Sequence, residues 1–267
     1  MSDLSSPPIQ SKSSIHLWWI TALLIAVNTG LFAWQVITGM DISNPSTVDA
    51  IRWGADYAPL TYLAEPWRLF SSMFFHFGMI HLMLNMWALY IFGSVAEQMF
   101  GRFYFSILYL LAGLTGSLLS GYVSIQDSYE LIRTGIPTQS LLPSVGAGAS
   151  GAVMGLGAAL TVLSLFPMLP GQRFVLDKKT LLMVMGINLA MGFMISGINN
   201  AAHIGGMIMG ALLTLIWYAG QKYGKNGLSQ IAGAVLSTGL CILFYQYCMQ
   251  QVQAISPLWQ GLIEWIK

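Results

Sequence analysis

Stretches of about twenty mostly apolar residues recur along this chain, and they constrain its fold more than any other feature. A helix of about twenty apolar residues crosses the hydrocarbon core of a bilayer. We place such helices at roughly 16–38, 79–99, 103–123, 149–167, 179–198, 201–220 and 230–249. Only 8% of the residues are charged, whereas a soluble domain carries about 25%. The sequence therefore predicts an all-α, polytopic helical bundle in a membrane.

The distribution of Lys and Arg predicts how these helices are oriented. With the N-terminus inside, the inner segments carry Lys12, Arg102, Arg173, Lys178, Lys179, Lys222 and Lys225, and the outer segments carry Arg52, Arg68, Arg133 and Lys267. Basic residues are in excess on the cytoplasmic side of membrane proteins. We therefore expect a cytoplasmic tail over 1–15, a six-helix core over 16–220, and an additional transmembrane helix with a short outer tail over 221–267.

Charge and cysteine content argue against several classes of protein. The net charge is only +1, so nothing indicates a nucleic-acid partner. Cys241 and Cys248 lie on one apolar stretch, separated by about 10 Å of helix, which is too far for a disulfide bond. No inverted repeat of the kind found in secondary transporters is visible. The partner that composition implies is the lipid bilayer.

Polar residues recur at one end of three predicted helices. With the N-terminus inside, the second, fourth and sixth helices enter from the outer side, and their first turns read HFGMIHLMLNMW (76–87), GASGAVMG (148–155) and NNAAHIGGMIMG (199–210). These turns place His81, Asn85, Ser150 and His203 at similar depth. Because ionisable residues inside a membrane usually mark a functional site, we expect these side chains to form one.

Glycines on the fourth and sixth helices predict that the two helices approach closely. Gly206 and Gly210 follow His203 at i+3 and i+7, so they share its face, and a GxxxG pair at Gly151 and Gly155 lies beside Ser150. Small residues on facing surfaces let membrane helices come into backbone contact. Such contact would bring the serine hydroxyl within hydrogen-bond reach of the imidazole.

A serine beside a histidine is the basic unit of nucleophilic acyl transfer. The neutral imidazole takes the hydroxyl proton and later returns it to the leaving group. The side chains of His81 and Asn85 and the backbone N–H of Ser150 supply three donors for the oxyanion. The acid inside a predicted span is Glu97, which lies about 18 Å beyond Asn85 along the helix. The pattern therefore predicts a Ser–His dyad rather than a triad.

Metal binding is the alternative chemistry for the three histidines His76, His81 and His203. A zinc or iron site usually adds a carboxylate or a cysteine to its imidazole ligands. The sequence places neither at the depth of these histidines. We therefore expect no metal and no other cofactor, and we interpret His76 as structural.

These motifs closely resemble those of the rhomboid family of intramembrane serine proteases, over roughly residues 60–215. The matching elements are GASG around Ser150, the H-x4-H-x3-N run of His76, His81 and Asn85, AHxxGxxxG from Ala202 to Gly210, and the Trp-Arg pair Trp67 and Arg68. Their order and spacing agree with the family, and together they are far more specific than any one motif. The seventh helix resembles that of the family's 6+1 variant.

The resemblance implies a role for each matching residue. It makes Ser150 the nucleophile and His203 the general base, and it assigns the oxyanion hole to His81, Asn85 and the Ser150 backbone. Gly148 corresponds to the small residue before the nucleophile, and Trp67 with Arg68 to a structural anchor in the outer loop. Many members carry an aromatic residue four positions after the serine, whereas this chain has Met154. A thioether also contacts a ring favourably, so we expect altered support of the base.

The resemblance also implies partners and a location. Rhomboid proteases cut transmembrane segments of other membrane proteins, near their outer end and after small residues. We therefore expect transmembrane protein substrates, a multi-pass protein in a bacterial plasma membrane, and a site that opens to the outer side. A rhomboid-like pseudoprotease that binds clients without cutting them is the alternative, although the chain keeps both Ser150 and His203. A channel or transporter is less favoured because no polar path leads from this cluster to the other face.

Overall fold

A computed structural model of the chain describes residues 18–170, 172, 174–194 and 198–265. The predicted tail 1–15 lies outside this part of the chain. The α-helices are α1 Trp19–Ile37, α2 Thr47–Arg52, α3 Ala58–Leu63, α4 Arg68–Ser71, α5 Met79–Ala88, α6 Ser94–Phe100, α7 Arg102–Thr134, α8 Ser150–Ser164, α9 Lys178–Met194, α10 Asn200–Lys222 and α11 Asn226–Glu264. The strands are β1 Asp56–Tyr57 and β2 Val145–Gly146.

Each predicted span corresponds to a helix or a continuous pair of helices. A π-helical turn over Leu89–Gly93 joins α5 to α6 without a break, so the second span runs over Met79–Phe100. Among the described residues, five helices are long and apolar enough to cross a bilayer, namely α1, α5–α6, α7, α10 and α11. Helix α8 is apolar but shorter, at 15 residues. The all-α, polytopic membrane fold is therefore confirmed, while the count of seven crossings stays a prediction.

Helices α7, α8 and α10 form the centre of the bundle, and small residues line their contacts. A Cβ added at Gly116 of α7 would lie 2.7 Å from the carbonyl oxygen of Ala202 in α10. A Cβ added at Gly155 of α8 would fall on the methyl group of Ala112 in α7. Since even a methyl group does not fit at these positions, the three helices are in direct backbone contact.

The N-terminus of α1 is capped by an acid from a distant part of the chain. The carboxylate of Glu97 accepts hydrogen bonds from the backbone N–H groups of Ile20 and Thr21, at 3.1 and 2.8 Å, and from the Thr21 hydroxyl at 2.8 Å. N–H groups in the first turn of a helix have no partner inside the helix. Glu97 supplies that partner and so joins α6 to α1, at the end of the bundle opposite to Ser150.

One buried arginine, Arg68, ties together several parts of the segment 39–78. Nη1 of Arg68 donates to the carbonyl oxygens of Ile51 and Ala55, at 2.7 and 2.9 Å, and Nη2 lies 2.6 Å from the carboxylate of Glu65. The guanidinium also stacks 4.8 Å above the Trp67 ring. A planar group with five donors is well suited to tie several acceptors together. Arg68 therefore fixes the turn between α2 and β1 against α4.

A two-stranded antiparallel sheet joins this segment to the residues that precede α8. Asp56 pairs with Gly146, and Tyr57 pairs with Val145. Strand β1 belongs to the segment between α1 and α5, whereas β2 ends four residues before Ser150. The sheet therefore attaches the approach to α8 to the structure around Arg68.

Helix α11 continues well past the predicted span of 230–249. It has 39 residues and reaches Glu264 without a break at Pro257. Proline lacks an N–H group and leaves the carbonyl four residues earlier without its helical partner. Here the Ser256 hydroxyl donates to that carbonyl, of Gln253, at 3.1 Å. The C-terminal half of α11 packs against α3 and α7, where Trp259 is fully buried and its Nε1 donates to the Ser128 hydroxyl at 2.9 Å.

Candidate active site

Ser150 is the first residue of α8, directly after a sharp turn in the backbone. Gly148 has a φ of +119°, which L side chains rarely adopt. The N–H of Gly148 donates to the carbonyl oxygen of Ser72 at 2.8 Å, so the turn is tied to the segment 39–78. N–H groups in the first turn of a helix have no carbonyl partner within it. The turn therefore leaves the Ser150 N–H at the positive end of the α8 dipole.

Two pairs of glycines hold α8 against α10. A Cβ added at Gly206 would fall on the carbonyl oxygen of Gly151, and one added at Gly210 would fall on that of Gly155. Both pairs have the same four-residue spacing, as the sequence pattern predicted. Because Gly151 follows Ser150 and Gly206 lies one helical turn after His203, this contact brings the serine and the histidine to the same end of the same helix interface.

His203 is 8% exposed and lies in the first turn of α10. Its Nδ1 atom is buried and makes no hydrogen bond to any described residue. No hydrogen bond joins His203 to Ser150 within the described part of the chain, and catalytic hydrogen bonds are often long before substrate binds. Among the described residues, the arrangement contains a serine and an imidazole without a carboxylate that orients the ring.

Asn199 supports His203, and sequence reasoning did not identify this residue. Its Oδ1 caps α10 by accepting the N–H of Ala202 at 3.0 Å, and its Nδ2 donates to the Ser120 hydroxyl of α7 at 2.6 Å. The carbonyl oxygen of Asn199 accepts the N–H of His203 at 3.2 Å. Asparagine is a preferred N-cap residue, so the doublet Asn199–Asn200 before the sixth helix was an available signal.

His81 lies against the turn that precedes Ser150. A Cβ added at Gly148 would lie 2.8 Å from its Cε1 and 2.9 Å from its Nε2. The Nδ1 atom of His81 accepts the backbone N–H of Phe77 at 3.2 Å. In a neutral imidazole one nitrogen accepts and the other carries the proton, and this hydrogen bond assigns the proton to Nε2. His81 therefore presents an N–H donor to the turn at Gly148.

Asn85 is one helical turn further along α5 and is 6% exposed. Its Nδ2 atom donates to the carbonyl oxygen of His81 at 2.9 Å and lies 3.9 Å from the position of a Cβ on Gly148. A carboxamide nitrogen carries two hydrogens, so one remains for another acceptor. The structure thus gathers donors from His81 and Asn85 around Gly148, two residues before Ser150.

His76 holds the same turn from the other side. Its fully buried ring accepts the N–H of Ala149 at Nε2, at 3.4 Å, and makes an edge contact with the His81 ring, with centroids 5.2 Å apart. Burial, together with the neighbouring His81, lowers the pKa of His76 to about 3. The ring is therefore neutral at physiological pH and acts as an acceptor for the backbone before Ser150.

Three candidate residues remain, namely Met154, Trp67 and Arg68. Met154 is buried in the main core, one turn after Ser150. Trp67 is half exposed and packs on Arg68, which contacts the turn after α2 rather than Ser150 or His203. In the described residues, no group of three or more His, Cys, Asp or Glu side chains is arranged to hold a metal ion.

Comparison with known proteins identifies the family. The Rhomboid domain family matches residues 63–220, which is more than half of the chain. The chain is 29% identical to Rhomboid protease AarA of Providencia stuartii over 220 residues, which cover 78% of the chain and 76% of AarA. It is 32% identical to Rhomboid protease GluP of Bacillus subtilis over 253 residues, which cover 90% of the chain and 44% of GluP. It is 33% identical to RHOMBOID-like protein 2 of Arabidopsis thaliana over 196 residues, which cover 73% of the chain and 56% of that relative.

The chain therefore belongs to the rhomboid family and is an integral membrane protein. The resemblance seen in the sequence motifs is confirmed by the family match. Rhomboid proteases are intramembrane serine proteases that act on membrane proteins within the bilayer. The chain spans about three quarters of AarA but less than two thirds of the other two relatives.

Proposed function

We propose that this protein is an intramembrane serine endopeptidase that cleaves transmembrane segments by a Ser150–His203 dyad. One observation carries the proposal: α8 and α10 are in backbone contact at Gly151–Gly206 and Gly155–Gly210. This contact supports a hydrogen bond between the Ser150 hydroxyl and Nε2 of His203, which would form as substrate binds.

The reaction proceeds through an acyl-enzyme. Nε2 of His203 takes the hydroxyl proton while Oγ of Ser150 attacks the scissile carbonyl carbon, and the carbonyl oxygen becomes an oxyanion. Collapse of the tetrahedral intermediate breaks the C–N bond, and the imidazolium gives its proton to the leaving amine. A water molecule then attacks the ester, His203 takes one of its protons, and Oγ leaves with that proton restored.

The oxyanion is stabilised by donors around Gly148. Nε2–H of His81 and the free Nδ2–H of Asn85 come from α5, and the N–H of Ser150 comes from the first turn of α8. Fixed donors aimed at charge that develops only in the transition state lower the barrier without reorganisation. The N–H of Ala149 is not one of them, because it donates to His76.

The substrates are membrane proteins whose transmembrane segments reach the end of the bundle where α8 and α10 begin. We assign this end to the outer side, with the N-terminus in the cytoplasm, and the membrane to the plasma membrane of a bacterium. The Lys and Arg distribution supports this orientation. The chemistry uses neither a metal nor a cofactor, since the serine, the imidazole and the N–H donors suffice for it.

A pseudoprotease that binds transmembrane clients without cleavage is the alternative. The two functions share a fold and differ in whether the serine is activated. The retention of Ser150 and His203, together with the glycine contact between their helices, favours the protease.

The test is cleavage of a fluorogenic transmembrane peptide by purified protein in detergent. Ser150→Ala removes one hydroxyl at the start of α8, so we expect it to abolish cleavage with little change in thermal stability. His203→Ala is expected to abolish both cleavage and labelling of Ser150 by a fluorophosphonate, because serine is a weak nucleophile until a base takes its proton. The matched control is Ser106→Ala, whose hydroxyl donates to the carbonyl oxygen of Arg102 in its own helix. Cleavage by Ser150→Ala near the wild-type rate would remove this serine from the mechanism.

A further inference from the structure

A small apolar cluster joins the last turns of α11 to the sheet formed by β1 and β2. The cluster consists of Ile51, Tyr57 and Leu60, which belong to α2, β1 and α3. Ile263 of α11 packs against this cluster, and so does Val145 of β2. The end of α11 and strand β2 therefore share the same packing partners.

Strand β2 is linked to both helices that carry the proposed dyad. Its backbone continues through Gly148 into Ser150, the first residue of α8. Strand β2 also lies close to the N-cap of α10, because a Cβ added at Gly146 would lie 3.2 Å from Nδ2 of Asn199. The carbonyl oxygen of Asn199 accepts the N–H of His203. A shift of β2 would therefore change the direction of the Ser150 N–H and the relation of the serine to the imidazole.

The segment that contains β2 has little burial of its own. Every residue over 135–148 is exposed or partly exposed. The sheet has only two residues in each strand, and a sheet of two short strands is marginally stable by itself. Segments with few buried apolar contacts open readily. The position of β2 therefore depends in part on the apolar cluster beneath it.

The C-terminal half of α11, by contrast, is firmly attached to the bundle. Trp259 is fully buried, and its Nε1 donates to the Ser128 hydroxyl of α7 at 2.9 Å. The hydroxyl of Tyr129, the next residue of α7, donates to the carbonyl oxygen of Gln251 at 2.7 Å. Because α11 is fixed to α7 in this way, Ile263 presents a rigid apolar surface to the cluster.

We propose that Ile263 is a positioning residue for the reaction at Ser150. It supports the apolar cluster and thereby β2, so that the backbone before the nucleophile keeps its geometry. The inference rests on the proposed protease function and assigns a role in it to α11. Ile263 acts through the cluster rather than on the reacting atoms. Its effect on rate is large all the same, since a misplacement of about 1 Å caused by a mutation far from the chemistry can lower the rate about 100-fold.

The experiment compares Ile263→Ala with Leu262→Ala in steady-state cleavage of one fluorogenic transmembrane peptide. Leu262 is the matched control, because it is also partly buried but packs against the cluster around Tyr62 and Trp259. Both changes remove similar apolar volume, so we expect similar losses of thermal stability. Only Ile263→Ala is expected to lower kcat, by about tenfold or more, with little change in KM, because the lost geometry matters in the transition state. Ile263→Val keeps most of the packing and is expected to restore kcat.

Backbone hydrogen exchange over 144–149, followed by mass spectrometry, gives a second measurement that does not depend on cleavage. Ile263→Ala is expected to speed exchange there about tenfold, because opening of a weakly held segment permits exchange, whereas Leu262→Ala is expected to leave it unchanged. This result supports the positioning of β2 by Ile263 even if wild type cleaves nothing, in which case the protease proposal alone fails.

Three results would overturn the inference. Unchanged exchange in Ile263→Ala would mean that the residue does not support β2. Equal losses of kcat in Ile263→Ala and Leu262→Ala would indicate a general loss of stability. Faster exchange without a fall in kcat in Ile263→Ala would show that the position of β2 does not serve the reaction.

Discussion

Replacing Asp56 with asparagine is a test of how the segment 39–78 is held together. Asp56 is 5% exposed, and its Oδ1 accepts the Thr61 hydroxyl at 2.6 Å. Burial raises the pKa of its carboxyl from 3.8 to about 7, against the opposing effects of the Thr61 hydrogen bond and the Arg68 charge. Asparagine has the shape of the protonated acid and keeps an oxygen for Thr61, but it cannot ionise.

The size of the effect follows from the change in pKa. In the unfolded chain the carboxyl ionises near 3.8, whereas in the folded protein it stays protonated until about pH 7. The free energy of unfolding of wild type therefore falls as pH rises from about 4 to about 7, and is constant above that. Since one pH unit corresponds to about 1.4 kcal/mol, the full loss is about 4 kcal/mol. Asp56→Asn avoids this loss, so its advantage over wild type grows from near zero at pH 4 to several kcal/mol at pH 8.

The measurement is unfolding of both proteins in mixed detergent micelles at pH 4.5, 6 and 8, followed by the loss of helical circular dichroism. Asp41→Asn is the control with the opposite sign. The exposed, ionised Asp41 accepts two backbone N–H groups, which hold its pKa below the usual value. An equal stability difference at pH 4.5 and pH 8 would refute the argument. Destabilisation by Asp56→Asn at pH 8 would mean that the ionised carboxylate pairs with Arg68.

Two further predictions concern the candidate site. Asn85→Ala is expected to lower kcat about 10²–10³-fold with little change in KM. The reason is that an oxyanion donor acts on charge that is present only in the transition state. Steady-state kinetics of peptide cleavage measures both constants. Gly206→Ala is expected to separate α8 from α10, because its new methyl group would fall on the Gly151 carbonyl. Overpacking of this kind lowers stability by about 1–3 kcal/mol. The rate at which a fluorophosphonate labels Ser150 is expected to fall as the two helices separate.

For each of these two predictions, a specific result would contradict the reasoning. A change in KM alone for Asn85→Ala would mean that the side chain binds substrate or packs helices. For the glycine, Gly239→Ala on α11 is the matched control, because nothing lies within 4 Å of its new methyl group and alanine favours a helix by about 1 kcal/mol. Equal labelling of Gly206→Ala and Gly239→Ala would show that the close contact does not serve Ser150.

The features that could be predicted from the sequence are those with a repeating pattern. The apolar stretches located the helices because a bilayer demands about twenty apolar residues per crossing. The four-residue spacing at Gly151–Gly155 and Gly206–Gly210 predicted the contact between α8 and α10, and the structure has that contact. The predicted alternating direction of the helices then placed the polar first turns of the second, fourth and sixth helices at the same end of the bundle. Helix α7 was not predicted as the third member of this contact, although its small residues around Gly116 were a signal.

The features that escaped prediction are those made by single hydrogen bonds between distant residues. Strands of two residues, such as β1 and β2, have no periodicity from which to predict them. The hydrogen bond from Ala149 to His76 and the cap by Asn199 depend on how the backbone turns, which residue types alone do not specify. The continuation of α11 past residue 249 was not predicted for a different reason. Polar residues after Met249 and Pro257 ended the apolar stretch, but that part of the helix packs against α3 and α7.

The length of α11 has a consequence for the order in which the protein is completed during synthesis. At about 1.5 Å per residue its 39 residues span about 58 Å, nearly twice the hydrocarbon core. Its C-terminal half packs on Tyr62 of α3, whose ring stacks on Tyr245 with centroids 5.7 Å apart and contacts Trp259. Strand β1 directly precedes α3, and β2 leads into Ser150. Because the ribosome makes α11 after all of these, a newly inserted chain contains Ser150 before the helix that packs on α3 exists. The segment that leads into Ser150 therefore gains its final packing only when α11 has emerged and docked.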